Sequence, residues 1–210
     1  MDKYPNRQAA GKILAHALQA YANRPNVIVL ALPRGGVPVA FEVAKSLNVP
    51  LDIFIVRKLG VPGHEELAMG ALAMGGTIVF NDDVIKSLSI SKQAIDHVIQ
   101  EETKELQRRE LNYRGQKPFP TLREKTIILI DDGIATGATL RAAIKALYQQ
   151  KPASIVVAVP VAERTTSKKI ASLVNKLVCP LITDDFYAVG QYYDDFSQTT
   201  DEEVRVLLNQ

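Results

Sequence analysis

Two adjacent carboxylates, Asp131 and Asp132, open a short loop that runs Gly133-Ile134-Ala135-Thr136-Gly137-Ala138-Thr139. Neighbouring carboxylates can accept hydrogen bonds from the two hydroxyls of a sugar diol. Loop amides that lead into a helix N-terminus can cradle a phosphate. Thr136 and Thr139 add hydroxyl donors, and Gly137 lets the backbone come close to a ligand. A lone aspartate at such a position would be read as a simple helix cap. Two acids, two glycines and two threonines together point to a ligand with a diol on one side and a phosphate on the other. The stretch lacks the lysine of a P-loop and the glycine spacing of a dinucleotide fingerprint, which excludes those two nucleotide-binding patterns.

A second anion-binding turn is Pro33-Arg34-Gly35-Gly36. Its glycines expose amides, and Arg34 offers a positive fork suited to phosphate. Alone it is a common strand-to-helix turn. Together, the two loops could grip a ligand with anionic groups at opposite ends, a monophosphate at one and a pyrophosphate at the other.

These loops need strands and helices to hold them. Val27 to Leu32 and Thr126 to Ile130 are short continuous apolar runs, as expected of strands buried on both faces. Further strands are expected at Leu51 to Val56 and Ser154 to Val161, with two short strands between Leu67 and Phe80 turning at Gly75-Gly76. Helices are expected from about Pro5 to Tyr21, after Gly36, after the acidic loop, and through Ile170 and Leu173. Lys58 to Glu66 is polar and contains glycine, so it reads as a loop, which could close over the site and carry Lys58 and His64. A charged helix from about Ser91 to Tyr113 reads as solvated or dimer-facing, so a homodimer is compatible with the sequence. His16 and His97 lie on helices and read as structural. Chain from Val178 onward reads as irregular and aromatic, before a last helix capped at Thr200-Asp201-Glu202-Glu203. Alternating strands and helices predict an α/β fold with a mostly parallel, doubly wound sheet flanked by helices. Ligands in such sheets sit at the carboxyl ends of the strands, where both loops fall.

The chain has 210 residues, 47% of them hydrophobic, enough for a sizeable core. It reads as a single domain over residues 1–210, with a core at about 25–175 and a small C-terminal hood at about 176–196 to which the N-terminal helix contributes. A net charge of only +2 argues against a nucleic-acid binder. No run is long enough to span a bilayer, and Met1-Asp2-Lys3-Tyr4-Pro5 lacks a signal-like apolar core. The single cysteine, Cys179, has no disulfide partner within the chain, and a reducing cytoplasm fits.

The acidic stretch Asp131 to Thr139 resembles the binding motif for phosphoribosyl pyrophosphate in type I phosphoribosyltransferases. Pro33-Arg34-Gly35-Gly36 resembles that family's pyrophosphate loop, whose internal peptide can be cis. The Phe186 to Tyr193 stretch resembles its hood, where an aromatic ring stacks on the acceptor base, which makes Phe186 and Tyr187 the stacking candidates. The resemblance implies attack by a nitrogenous acceptor on the sugar and release of pyrophosphate, with magnesium as the cofactor. It implies that Asp131 and Asp132 hold the ribose diol, directly or through magnesium. Ile134, Ala135, Thr136, Gly137, Ala138 and Thr139 would hold the 5-phosphate, and Arg34, Gly35 and Gly36 the pyrophosphate. The partners would be small molecules, a base or an amine among them. Two other readings stay open: a sensor or regulator that binds without turnover, and a hydrolase or phosphorylase of a ribosyl phosphate.

Three departures bear on the acceptor. Ala135 stands where 6-oxopurine enzymes carry an aspartate. Glu163 stands where the same enzymes carry a lysine. Arg57-Lys58 and His64 match part of the mobile loop of orotate enzymes, but a middle lysine is missing.

Overall fold

The computed structural model describes residues 3–210, so Met1 and Asp2 of the N-terminal reading lie outside the described residues. Helix α1 (Arg7–Ala17) starts where the Asn6 side chain accepts the Ala9 amide at 2.9 Å. It is shorter than expected, because the chain tightens into a 3-10 turn at Gln19–Tyr21. Strand β1 (Val27–Ala31) is wholly buried. Helix α2 (Gly36–Leu47) follows and stops at Asn48, in the left-handed region at φ 52°.

The run Leu51 to Val56 is not one strand. It divides into β2 (Leu51–Ile53) and the start of β3 (Val56–Val61), which belong to different sheets. The expected loop Lys58 to Glu66 is mostly strand as well. β3 and β4 (His64–Ala73) form an antiparallel hairpin with irregular register at Gly60, turning at Pro62-Gly63. Only Leu59 and Val61 of β3 are buried, so the polar, outward half of the strand hid its alternation. β5 (Thr77–Phe80) completes this three-stranded sheet, and the turn at Gly75-Gly76 is as expected, with both glycines at positive φ.

Helix α3 (Asp82–Ser87) was not foreseen, whereas α4 (Lys92–Arg114) matches the charged helix and is capped by Ser91. Strand β6 (Thr126–Ile130) falls as predicted, followed by α5 (Ala138–Gln149) and β7 (Ser154–Ala158). A break at Val159-Pro160 separates β7 from β8 (Val161–Glu163), which leads into α6 (Arg164–Ala171). After β9 (Lys176–Val178) the chain is more regular than expected: β10 (Leu181–Thr183) precedes a 3-10 turn at Val189–Tyr192. Helix α7 (Asp201–Leu208) carries the expected capping box between Thr200 and Glu203.

The main sheet is parallel, in the order β2-β1-β6-β7-β9, so β6 is its central strand and β1 its neighbour. A mostly parallel sheet flanked by helices matches the expected fold class. Ile127 to Ile130 have no exposed surface, and the polar residues flank that buried stretch, Thr126 at the strand's half-buried start and Asp131 past its end. Both anion loops therefore leave neighbouring strands at the same edge.

Candidate active site

β1 and β6 run in register, and the Leu32 amide donates to the Ile130 carbonyl at 2.9 Å. This places Gly35 and Gly36 directly against Asp131 and Asp132. A Cβ on Gly36 would lie 2.8 Å from the Ile130 carbonyl oxygen, and one on Gly35 would overlap the Asp132 carboxylate. The two loops thus abut, and their closeness requires glycine at both positions. The Pro33-Arg34 peptide is cis, the geometry the resemblance allows for this loop.

Beyond the acids, the loop is pinned at Ile134, whose amide donates to the Val161 carbonyl at 2.9 Å and whose carbonyl accepts from Glu163 at 3.1 Å. Gly137 then sits at φ 68° and opens α5. The Arg141 guanidinium donates to the Thr136 carbonyl at 2.7 Å and braces the loop from the first turn of the helix. Ala135, Thr136, Ala138 and Thr139 stay exposed, and the Ala138 amide donates to the Thr136 hydroxyl at 3.5 Å. Residues 131–140 and Val189 line a cleft of about 250 Å³.

The acids differ in their surroundings. Asp131 Oδ1 accepts the Asp132 amide at 2.9 Å. Asp132 Oδ2 accepts from Arg7 Nε at 2.9 Å and lies 2.9 Å from Arg7 Nη2. Burial pushes the Asp131 carboxyl well above its ordinary range, and the neighbouring Asp132 charge adds to this. Burial raises Asp132 too, while the Arg7 guanidinium pulls it down. Tyr193, raised by burial, stays neutral and donates its hydroxyl to the Asp132 carbonyl at 2.6 Å. Hard carboxylate oxygens at the cleft fit a magnesium ion. No group of three or more His, Cys, Asp or Glu able to hold a metal occurs among the described residues. Such an ion would therefore be held mainly by water and substrate oxygens, the usual habit of magnesium.

The other predicted residues are placed as follows. Arg34 donates to Asp201 of α7 at 3.3 Å. Lys58 and His64 stand exposed on the β3–β4 hairpin. Lys58 lines a groove against α4 with His97 and Glu101, and neither Lys58 nor His64 lines the acidic cleft. Phe186 stacks on Tyr192 with ring centroids 5.4 Å apart, whereas Tyr187 is 87% exposed. Both oxygens of Glu163 accept amides, of Thr165 and Thr166, which cap α6 and lower its pKa to about 2.

Two site residues escaped the sequence reading. Val189 is the hood residue that meets the cleft, and a Cβ on Gly133 would lie 2.6 Å from it. Arg7 is the other, and a signal for it existed. It shares the helical stripe of Ala10, Gly11 and Leu14, all buried, so a charge there needed a partner.

A family model described as the phosphoribosyl transferase domain matches residues 64–197, more than half of the chain. The chain belongs to the phosphoribosyl transferase family. Two Mycobacterium tuberculosis proteins, from strains CDC 1551 / Oshkosh and H37Rv, carry provisional phosphoribosyl transferase names and are each 42% identical over 209 residues. That match takes in 100% of this chain but 47% of either relative, so the chain spans about half the length of the curated relatives it matches. Among solved structures, the protein TT1426 from Thermus thermophilus is 36% identical with a TM-score of 0.86, covering 98% of this chain and 97% of that one. A purine phosphoribosyltransferase from Pyrococcus horikoshii shares the fold at 19% identity and a TM-score of 0.50, covering 95% of this chain and 99% of that one. The family match begins at His64, so the Pro33–Gly36 turn lies outside it, and the structure sets that turn against the acidic loop.

Proposed function

We propose that the protein binds 5-phosphoribosyl 1-pyrophosphate with magnesium and transfers its phosphoribosyl group to a nitrogenous acceptor. The carrying observation is the direct abutment of Gly35 and Gly36 on Asp132 and Asp131, which supports one site shared by the acidic loop and the Pro33–Gly36 turn. The acidic pair serves the ribose diol. Ile134, Ala135, Thr136, Gly137, Ala138 and Thr139 receive the 5-phosphate on amides and hydroxyls. Arg34, Gly35 and Gly36 receive the pyrophosphate. The acceptor nitrogen forms a bond to C1 of the ribose, and the C1–O bond breaks with its electron pair leaving on pyrophosphate. Magnesium, when bound, offsets charge on that leaving group. The chain itself contributes position and fixed dipoles. Lys58 and His64 belong to this reading only through movement of the β3–β4 hairpin, and Phe186 and Tyr187 only as the hood's aromatic face.

Changing Asp131 to Asn together with Asp132 to Ala tests the reading. Calorimetry with magnesium and phosphoribosyl pyrophosphate should show a loss of about 1.5–3 kcal/mol or more, on the order of tenfold in affinity at the least. Unchanged affinity excludes the diol role.

A second reading, a sensor without turnover, is favoured by the acceptor side. Ala135 offers no acid, and both Glu163 oxygens are committed to the amides of α6. Pyrophosphate release with a panel of bases and amines separates the two, since a sensor binds and releases none. A product assay without any acceptor detects hydrolysis.

A further inference from the structure

We infer that the two neighbouring carboxylates have different tasks: Asp131 meets the sugar diol and its cation, whereas Asp132 forms an internal ion pair with Arg7 that fixes the diol loop against the pyrophosphate loop. This deepens the phosphoribosyl pyrophosphate reading and rests on it.

The pair is enclosed, with the Arg7 and Asp132 side chains only 10% and 14% exposed. Arg7 is spent on internal partners. Its Nε and Nη2 lie on Asp132 Oδ2, and its Nη1 donates to the Ser197 carbonyl at 2.7 Å. Its guanidinium also stacks over the Phe196 ring, 4.0 Å from the centroid. One cation thus joins α1, the diol loop and the segment before α7. It also touches the other anion loop, because a Cβ on Gly35 would lie 3.4 Å from Arg7 Nε. Glycine there admits the ion pair beneath the loop backbone. Tyr193 also holds Asp132, donating its hydroxyl to the Asp132 carbonyl.

Asp131 lacks all of this. One of its oxygens accepts the next amide, and the other has no hydrogen-bond partner among the described residues. No lysine or arginine forms an ion pair with it among the described residues. Each aspartate keeps one side-chain oxygen without a hydrogen-bond partner among the described residues, and both line the cleft, so the counter-charge separates them: the carboxylate without an internal cation is the better receiver of sugar hydroxyls or of a hard cation. An enclosed carboxylate already matched by a guanidinium gains less from either, and removing one member strands the other. Arg7 and Asp132 are therefore positioning residues.

Two readouts on one set of variants test this: calorimetric affinity for magnesium phosphoribosyl pyrophosphate, and the midpoint of thermal unfolding. Asp131→Asn should weaken binding on the order of tenfold, by the same factor whether residue 7 is Arg or Met, without lowering the midpoint. Asp132→Asn and Arg7→Met should each lower the midpoint, and the double variant should melt higher than the sum of the two losses. The affinity cost of Asp132→Asn should vanish in the Arg7→Met background, and Arg7→Lys should recover part of both losses. If Arg7→Met fails to fold, Arg7→Lys carries the same cycle. An affinity cost of Asp132→Asn that persists undiminished without Arg7 overturns the division of tasks. If the unaltered protein binds no phosphoribosyl pyrophosphate, the ligand reading falls separately. The midpoint cycle then decides the ion pair alone, and additive losses overturn it.

Discussion

Asp131 is the residue whose environment has the plainest chemical consequence. Its carboxyl is raised by burial and by the charge of Asp132. An acid with a raised value in the folded state binds its proton more tightly there than in the unfolded chain. Its contribution to stability is complete below the ordinary carboxylate range and is lost as pH rises through the raised value. The free protein should accordingly melt at lower temperature as pH rises across that window. Asp131→Asn should flatten the slope, and parallel curves for the two proteins would refute the assignment. Ligand binding that requires the charged form should release a proton in the same window, readable by calorimetry in two buffers of different ionisation heat. The acid pair was legible because two charges after an apolar run are hard to explain otherwise. For Arg7 only half was legible: its place on the buried stripe of α1 calls for a partner, but that partner lies 125 positions away and no local pattern identifies it.

The elements that hold Arg34 come from the far ends of the chain. Asp201, on α7, accepts from Arg34 at 3.3 Å, from the Tyr113 hydroxyl at 2.8 Å and from Asn112 at 3.2 Å, the last two on α4. The Tyr113 hydrogen bond, with help from Arg34, holds the Asp201 carboxyl below its usual range. The long charged helix thus has a structural task beside the Pro33–Gly36 turn, one its composition did not disclose. Asp201→Ala should remove a negative charge from Arg34 and tighten pyrophosphate binding several-fold in a titration. The stability loss should be about 1 kcal/mol or less, because the pair is partly exposed and solvent screens it. Weaker pyrophosphate binding would show instead that Asp201 aims Arg34 usefully. The β3–β4 hairpin was misread for an equally local reason. One face of it is solvated, its register is irregular at Gly60, and its polar residues resemble those of a loop.

Across the molecule, stability and the proposed ligand binding would draw on different residues of the same strand-loop-helix unit. Leu129 has no exposed surface in the central strand, so Leu129→Ala should cost about 2–5 kcal/mol in denaturant unfolding. Thr136, seven residues on, is exposed at the loop, so Thr136→Ala should leave the unfolding midpoint in place while weakening affinity for the phosphorylated ligand. If both substitutions moved the midpoint alike, the loop would be part of the core framework and not a ligand surface. No described helix is long and apolar enough to cross a membrane. The amino-acid order alone determined the alternation of buried strands and helices, the position of the acidic loop at a strand's carboxyl end, and the capped last helix. These depend on hydrophobic period and on hydrogen bonds between near neighbours. Only the tertiary structure decided that the two anion loops touch, that Arg7 claims Asp132 and leaves Asp131 open, and that Asp201 reaches Arg34. Those contacts join segments distant along the chain, and they exist only once strand pairing and burial have fixed which ends meet.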